Sequence, residues 1–368
     1  MLLRILFGSI AALVLIAISY FTAKTYAAGF RFNGIATRTS FLVFLLIPLT
    51  FVASMLTIRS ASWGAGPLVY TIIQIIAGIG FYLFIGAIAL AVVLGVAALI
   101  HVSVPISIAI GIGSIAIVVA LIGLVQSRMV TVRDYTITLA GAPLSWNDKT
   151  AVLVTDTHFG LVNYTSFSEK VVDHILALNP DFVIHAGDFY DGPAVATEPI
   201  TKSWKRLTAR APLFYAPGNH EGYGDYKAFV ESVHASGATV LDDKKVLYDG
   251  VTIAGITYRQ GKESPEATKA IDELALTDET PTILINHPPT SLAAAQAAGV
   301  ALMVSGHTHN GQMWPMTYII RRMYGAYYHG LADYAGMKVI TSSGIGTFGP
   351  PLRLFNPPEL VRIHFTTQ

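Results

Sequence analysis

Val304-Ser305-Gly306-His307-Thr308-His309-Asn310-Gly311-Gln312 is the stretch on which the reading of this chain turns. The apolar run Ala301, Leu302, Met303 and Val304 leads into it as a buried strand would, and Gly306 precedes two imidazoles one residue apart. Side chains at i and i+2 share a face in extended backbone, so His307 and His309 are expected to aim at one locus. Taken alone, His-x-His fits core or surface histidines as well as a metal site. The rest of the chain has to decide.

Four other apolar runs end in the same way. Residues 151–155 lead into Asp156-Thr157-His158, and 181–186 into Gly187-Asp188-Phe189-Tyr190-Asp191-Gly192. Residues 212–216 lead into Pro217-Gly218-Asn219-His220-Glu221, and 282–285 into Asn286-His287. Further strands are predicted at 135–139 and 251–256, and helices at 168–178, 198–210, 225–236, 265–275 and 291–298. Strands alternating with helices predict a layered α/β domain, whose ligands sit beyond the carboxyl ends of the strands. Gly187, Gly218 and Gly306 suit backbone that must pass close to a site.

The groups at these strand ends are Asp156, His158, Asp188, Asn219, His287, His307 and His309, with His220 beside Asn219. Asp156 alone could cap a helix, Asn219 could be a turn residue and His287 a loop histidine, but together those readings are improbable. Carboxylate, amide oxygen and imidazole suit Mn, Fe or Zn, and the chain has no cysteine to offer sulfur. Seven side chains exceed the needs of one ion. Two divalent ions bridged by Asp188 are the expectation, an arrangement that holds a hydroxide between the ions and clamps a phosphoryl oxygen for in-line attack. His174, His185, His234, His329 and His364 lie outside the pattern.

Composition divides the chain. Of 368 residues 53% are hydrophobic and only 13% charged, against about 25% charged in a soluble domain. No Asp or Glu precedes Asp134, and only Arg4, Lys24, Arg31, Arg38 and Arg59 are basic before residue 128. Apolar runs near 2–21, 41–58, 68–100 and 106–125 predict an all-α transmembrane bundle of about four helices over 1–127, and 128–368 forms the second domain. These runs hold no acidic residue, and only His101 lies near the break between the last two, so an anchor is expected and not an ion path. The formal net charge of +1 excludes a nucleic-acid binder with a basic stripe.

Asp156-x-His158, Gly187-Asp188, Gly218-Asn219-His220-Glu221, Asn286-His287 and Gly306-His307-Thr308-His309 resemble, in order, the motifs of the calcineurin-like metallophosphoesterases. The resemblance covers about Tyr135 to the C-terminus. Asp188 to Gly192, Gly344-Ile345-Gly346-Thr347 and Arg353-Leu354-Phe355-Asn356-Pro357-Pro358-Glu359 resemble the membrane-associated YkuE-like branch. The resemblance implies a double β-sandwich flanked by helices and dinuclear hydrolysis of a phosphoester. It implies one metal on Asp156, His158, Asp188 and His309 and another on Asp188, Asn219, His287 and His307. A metal-bridging hydroxide would attack, and His220 would orient the phosphoryl group or protonate the leaving oxygen. Glu221 stands where the family usually has Asp, which bears on the support of His220, and Asn310 where it usually has Gly. Thr157 and Phe159 also differ from the commonest residues, and none of these four is a ligand position.

Residues 314–328 follow the last ligands and interleave Trp314, Arg321 and Arg322 with tyrosines and aliphatics, the composition of a membrane interface. The alternative is an aromatic patch that closes the domain. The first reading makes a lipid or lipid-linked phosphoester the expected substrate and the bilayer the partner. Lys24, Arg31 and Arg38 against Arg59 favour the first loop in the cytoplasm. That predicts a multi-pass protein of a bacterial inner membrane with its catalytic domain extracytoplasmic. Two other readings stay open: a cytoplasmic-facing pyrophosphatase of a nucleotide-linked lipid precursor, and a non-catalytic metal-binding membrane scaffold.

Overall fold

The computed structural model describes residues 2–57, 65–192, 196–259, 261, 263–277 and 279–367, with the backbone alone for 2–9. Arg59, and the end of the expected second span at Ile58, lie outside the described residues. Four long helices open the chain: α1 (Leu2–Gly29), α2 (Gly34–Thr57), α3 (Gly66–Leu99) and α4 (Ile106–Gln126). All four are long and apolar enough to cross a membrane. Their outward faces carry exposed Leu13, Leu46, Val92 and Ile115, which water would penalise and lipid would not. Tyr26 from α1 packs with Ala87 and Leu90 of α3 and Ala109 of α4. Small residues make that approach possible; a Cβ on Gly29 would meet Ala109 at 2.8 Å.

The second unit is a pair of facing sheets. One has the strand order β1 (Thr131–Thr138), β12 (Glu359–Thr366), β2 (Thr150–Val154), β3 (Phe182–His185), β4 (Leu213–Tyr215) and β5 (Thr239–Val240). The other has the order β10 (Gly330–Tyr334), β11 (Met337–Thr341), β9 (Val300–Ser305), β8 (Thr282–Asn286), β7 (Val251–Ile256) and β6 (Lys244–Tyr248). Alternation sets the layers. On β2, Ala151 and Leu153 face the core between the sheets, with Ile184, Ile283, Leu302 and Ile363. Val152 and Val154 face outward, under α5 (Thr165–Ala177), α6 (Glu198–Thr208) and α7 (Tyr226–Ala235), whose Val171, Trp204 and Phe229 cover them. Ala254 and Leu284 are covered in the same way by α8 (Pro265–Glu273) and α9 (Leu292–Ala297). This is the expected double β-sandwich flanked by helices.

Parallel pairing from β2 to β3 to β4, and from β7 to β8 to β9 to β11, is what brings the strand ends together. Strands β6 and β10, and with them β5, β11 and β12, were not among the expected elements. The first two are edge strands with mostly exposed or half-buried residues, so they carry no hydrophobic signal.

Candidate metal centre

Each candidate side chain sits in the first residues after a strand, and the backbone there is unusual. Asp156 (φ 53°), His158 (φ 45°), Asp188 (φ 53°), His307 (φ 69°) and His309 (φ 47°) are all left-handed, a conformation that non-glycine residues adopt rarely and mostly at functional sites. This corrects one expectation. His307 and His309 do not lie in extended backbone, and they do not share a locus. His309 faces Asp156 and His158, whereas His307 joins Asp188 and His287.

Hydrogen bonds hold these loops. The Asp156 carboxylate accepts from the His307 N–H at 3.1 Å and from Thr155 Oγ1 at 2.8 Å. Asp188 Oδ1 accepts from the His220 N–H at 2.8 Å. Glu221 is fully buried and accepts the N–H groups of Gly218, Asp188, Phe189 and Tyr190. It therefore ties two ligand loops together and does not touch the His220 ring. Gly306 is required where it stands, because a Cβ there would overlap Thr155 Oγ1 and Asp156 Oδ2.

The first group is closely gathered. His158 Nε2 lies 3.0 Å from His309 Nε2, and Asp156 Oδ1 lies 3.2 Å from His309 Nε2 and 3.8 Å from His158 Nε2. In the second, His287 Nε2 lies 3.0 Å from Asp188 Oδ2, and Asn219 Oδ1 lies 2.9 Å from His307 Nδ1. Asp188 Oδ2 is also 3.8 Å from His158 Nε2 and 4.0 Å from His220 Nε2, so it stands between the groups. All eight residues marked at the strand ends are brought together. Trp314, Arg321 and Arg322 are not among them.

These residues fit divalent ions on their own geometry. His287 Nε2 is buried and makes no hydrogen bond despite its approach to Asp188. Two imidazole nitrogens 3.0 Å apart beside a carboxylate can share at most one proton, so their lone pairs converge on a point where a cation is favoured. Electrostatics agree. Burial opposes charge on His158 and His287, but the surrounding aspartates raise them to about 10 and about 9. Burial dominates at His307 and His309 and lowers both to about 4. Burial also opposes charge on Asp156, yet the neighbouring histidines hold it well below the ordinary carboxylate range. In the metal-free molecule protons thus supply the positive charge that the carboxylates demand.

Two residues emerge that sequence reasoning had not assigned a role. Asp191 Oδ1 lies 3.1 Å from His158 Nδ1, and the Asp191 carbonyl oxygen accepts from His220 Nδ1 at 3.0 Å. Asp191, His158 and His220 form a third group of ligand type, but with the far nitrogen of His158 turned to the first group it orients rings, as a carboxylate behind a ligand histidine does. Its signal was the third position after Asp188. Arg353, fully buried, donates to Ser343 O and Gly346 O and reaches His309 Nδ1 at 3.2 Å. Forty-odd residues separate Arg353 from His309, and no local pattern links them.

The surroundings are partly apolar. Phe348, 45% exposed, lies with its ring 5.1 Å from that of His309. Beside His307 opens a cavity of about 370 Å³ lined by Tyr258, Arg259, Pro288, Met323 and Tyr324. The last two belong to α10 (Met316–Tyr324), which buries none of its residues and exposes Tyr318, Ile319 and Met323. Arg321 and Arg322 lie in its last turn, with Arg321 over the Tyr328 ring. Trp314, 37% exposed, sits just before it with its ring 6.5 Å from that of Phe355.

Residues 149–311 match the family model of the calcineurin-like phosphoesterases. Over those residues the chain is similar to the calcineurin-like metallophosphoesterases. An uncharacterized metallophosphoesterase of Helicobacter pylori is 28% identical over 57% of each chain. The transmembrane protein with metallophosphoesterase domain of Danio rerio is 29% identical over 68% of this chain and 60% of its own. The metallophosphoesterase YkuE of Bacillus subtilis is 27% identical over 64% of this chain and 85% of its own. The chain thus spans little more than half the length of the first of these relatives. With four apolar helices ahead of the phosphoesterase domain, the likeness to transmembrane relatives supports a membrane protein.

Proposed function

We propose that the domain hydrolyses phosphoesters with two divalent ions. Asp156, His158, Asp188 and His309 would hold one, and Asp188, Asn219, His287 and His307 the other. The observation that carries this reading is the place of Asp188 Oδ2, 3.0 Å from His287 Nε2 and 3.8 Å from His158 Nε2, within reach of both groups. Nitrogen and oxygen donors without sulfur suit Mn, Fe or Zn. Ions held there would polarise a phosphoryl oxygen and acidify a water.

The chain's own groups do the positioning. Asp191 orients the His158 ring through Nδ1. Its carbonyl also takes the His220 Nδ1–H, which leaves Nε2, on a side chain 15% exposed, free to take up a proton and, from the doubly protonated ring, give it to a leaving oxygen. Arg353 can only donate, so its contact makes His309 Nδ1 the acceptor. For His309 Nε2 to offer a lone pair to an ion, that contact has to loosen.

The test is hydrolysis of phosphodiesters by the full chain with Mn²⁺. Wild type is expected to cleave bis-p-nitrophenyl phosphate only with metal. His220→Ala should lose about a hundredfold on an alkyl diester, and less on the nitrophenyl ester, whose leaving oxygen needs no proton. Metal-loaded wild type that cleaves neither would sink the reading.

The substrate we infer is a lipid or lipid-linked phosphoester. Support comes from the exposed apolar face of α10, which Met323 and Tyr324 continue into the cavity beside His307. Arg321→Ala with Arg322→Ala should weaken turnover of a phospholipid in vesicles and spare a small soluble diester. Equal loss on both counts against a lipid-facing α10.

The same reading sets the domain outside the cytoplasm of a bacterial inner membrane. Of the three basic residues expected in the first loop, Lys24 lies in α1 and Arg38 in α2; Arg31, between the helices, donates to Val104 O after α3 at 3.1 Å, so it and that break share one end of the bundle. The chain has no cysteine, so one cysteine added on the domain should react with an impermeant reagent in intact cells. Labelling only after lysis would reverse the orientation.

A further inference from the structure

A second cavity, of about 440 Å³, shares no residue with the ligand groups. Arg128, Lys170 and His174 line it, over apolar Val130, Phe167 and Val171. Ser166, Lys170 and His174 fall at i, i+4 and i+8 on α5 and so share one face, while Phe167 and Val171 turn into the core under that helix. No acidic residue lines the cavity. Among the described residues, none of the three basic side chains forms an ion pair, whereas Asp173 on the same helix is taken by Arg206. Burial lowers the Arg128 pKa with no carboxylate to offset it. Three cationic or titratable groups around a cavity without a counter-charge, above an apolar floor, match an amphiphilic anion.

Chain connectivity favours one source for that anion. Gln126 ends α4, a helix long and apolar enough to cross a membrane, and two residues of backbone reach at most about 7 Å. Arg128 therefore lies at the level where that helix would leave the lipid, where basic side chains meet phosphate headgroups.

We propose that this cavity docks the phosphate of an anionic phospholipid headgroup, apart from the hydrolytic centre. Arg128 and Lys170 hold the phosphate oxygens, and half-buried Val130 and Phe167 meet the glycerol and the start of the acyl chains. The site needs no catalysis and stands whether or not the phosphoesterase reading holds.

The experiment is native mass spectrometry of the full chain in detergent, titrated with phosphatidylglycerol. Wild type should take a first lipid saturably, and Arg128→Gln with Lys170→Gln should weaken that binding about tenfold. Ser166→Glu, which keeps all three basic groups and adds a carboxylate at the cavity, should weaken it similarly and covers the case in which the double variant fails to fold. Lys202→Gln with Lys205→Gln removes the same charge from exposed positions on α6 and should leave binding unchanged. Equal loss in that control would reduce the effect to diffuse charge and overturn the site. So would phosphatidylcholine binding as tightly as phosphatidylglycerol. Glycerol phosphate binding as tightly as the lipid would overturn the headgroup and leave a site for a free phosphate ester.

Discussion

The two groups of ligand-type side chains meet at Asp188 Oδ2, 3.0 Å from His287 and 3.8 Å from His158, and otherwise differ. Around Asp156, His158 and His309 the protein is closed: these side chains are at most 4% exposed, Asp191 and Arg353 contact the rings, and Phe348 lies over them. In the second group Asp188 and His287 are just as buried, and the opening is at half-buried His307, which faces a cavity. The difference teaches a division of labour. The first group, with His158 oriented by Asp191, can fix an ion once Arg353 has released His309; the second can present an ion to substrate through the cavity at His307.

The largest effect should come from the bridge itself. Asp188→Ala takes a ligand from both groups, so activity on bis-p-nitrophenyl phosphate should fall by more than the 10–100-fold expected of a residue that only orients a ligand. Asp191→Asn should give that smaller loss, about 10–100-fold, and should weaken metal binding at the closed group first, as read by metal titration. A loss confined to kcat with metal affinity intact would move Asp191 from the ligand to His220.

The closed side also has a support that acid should undo. Glu359 accepts the Ser343 N–H at 2.8 Å, and Ser343 O takes the Arg353 guanidinium at 2.8 Å. Burial would raise the Glu359 pKa, but His329, that N–H and Arg133 outweigh it and bring the carboxyl down to about 2. A depressed pKa stabilises the fold above the unfolded value near 4.5, and the contribution is lost as pH falls toward 2. Glu359→Gln should therefore cost about 3 kcal/mol at pH 6, measured by denaturant unfolding, and progressively less below pH 4.5. The smallest effect belongs to the open side. Met323→Ala removes part of a half-exposed side chain, about 1 kcal/mol of contact. That should raise KM for a long-chain diester roughly fivefold with kcat nearly unchanged.

What could be read in the sequence follows from where the information is local. An apolar strand that stops at Asp-x-His or Gly-His-x-His announces a ligand loop, so all seven ligand candidates and His220 were legible. The helices over the sheets were legible too, because Val171 or Phe229 recurs at helical spacing. The backbone of the loops was not. Period-two reasoning set His307 and His309 on one face, whereas left-handed φ values at both send them to different groups. Arg353 meets His309 only through the folding of the 342–356 loop, a contact no spacing reports. Edge strands β6 and β10 escaped because neither buries a residue fully, although Val246, Tyr248 and Tyr334 rest half-buried against the cores. Strand β12 did alternate, with Val361, Ile363 and Phe365 in the core, and could have been read.

The central claim is that Asp188 joins two ions in one centre. The direct test is titration of Mn²⁺ into metal-stripped full-length protein, following bound metal and diester hydrolysis together. The account predicts two ions per chain, hydrolysis that appears with the second, and loss of both bridging and activity in Asp188→Ala. A single ion per chain with full activity, or an Asp188→Ala protein that still binds two and turns over, would contradict it.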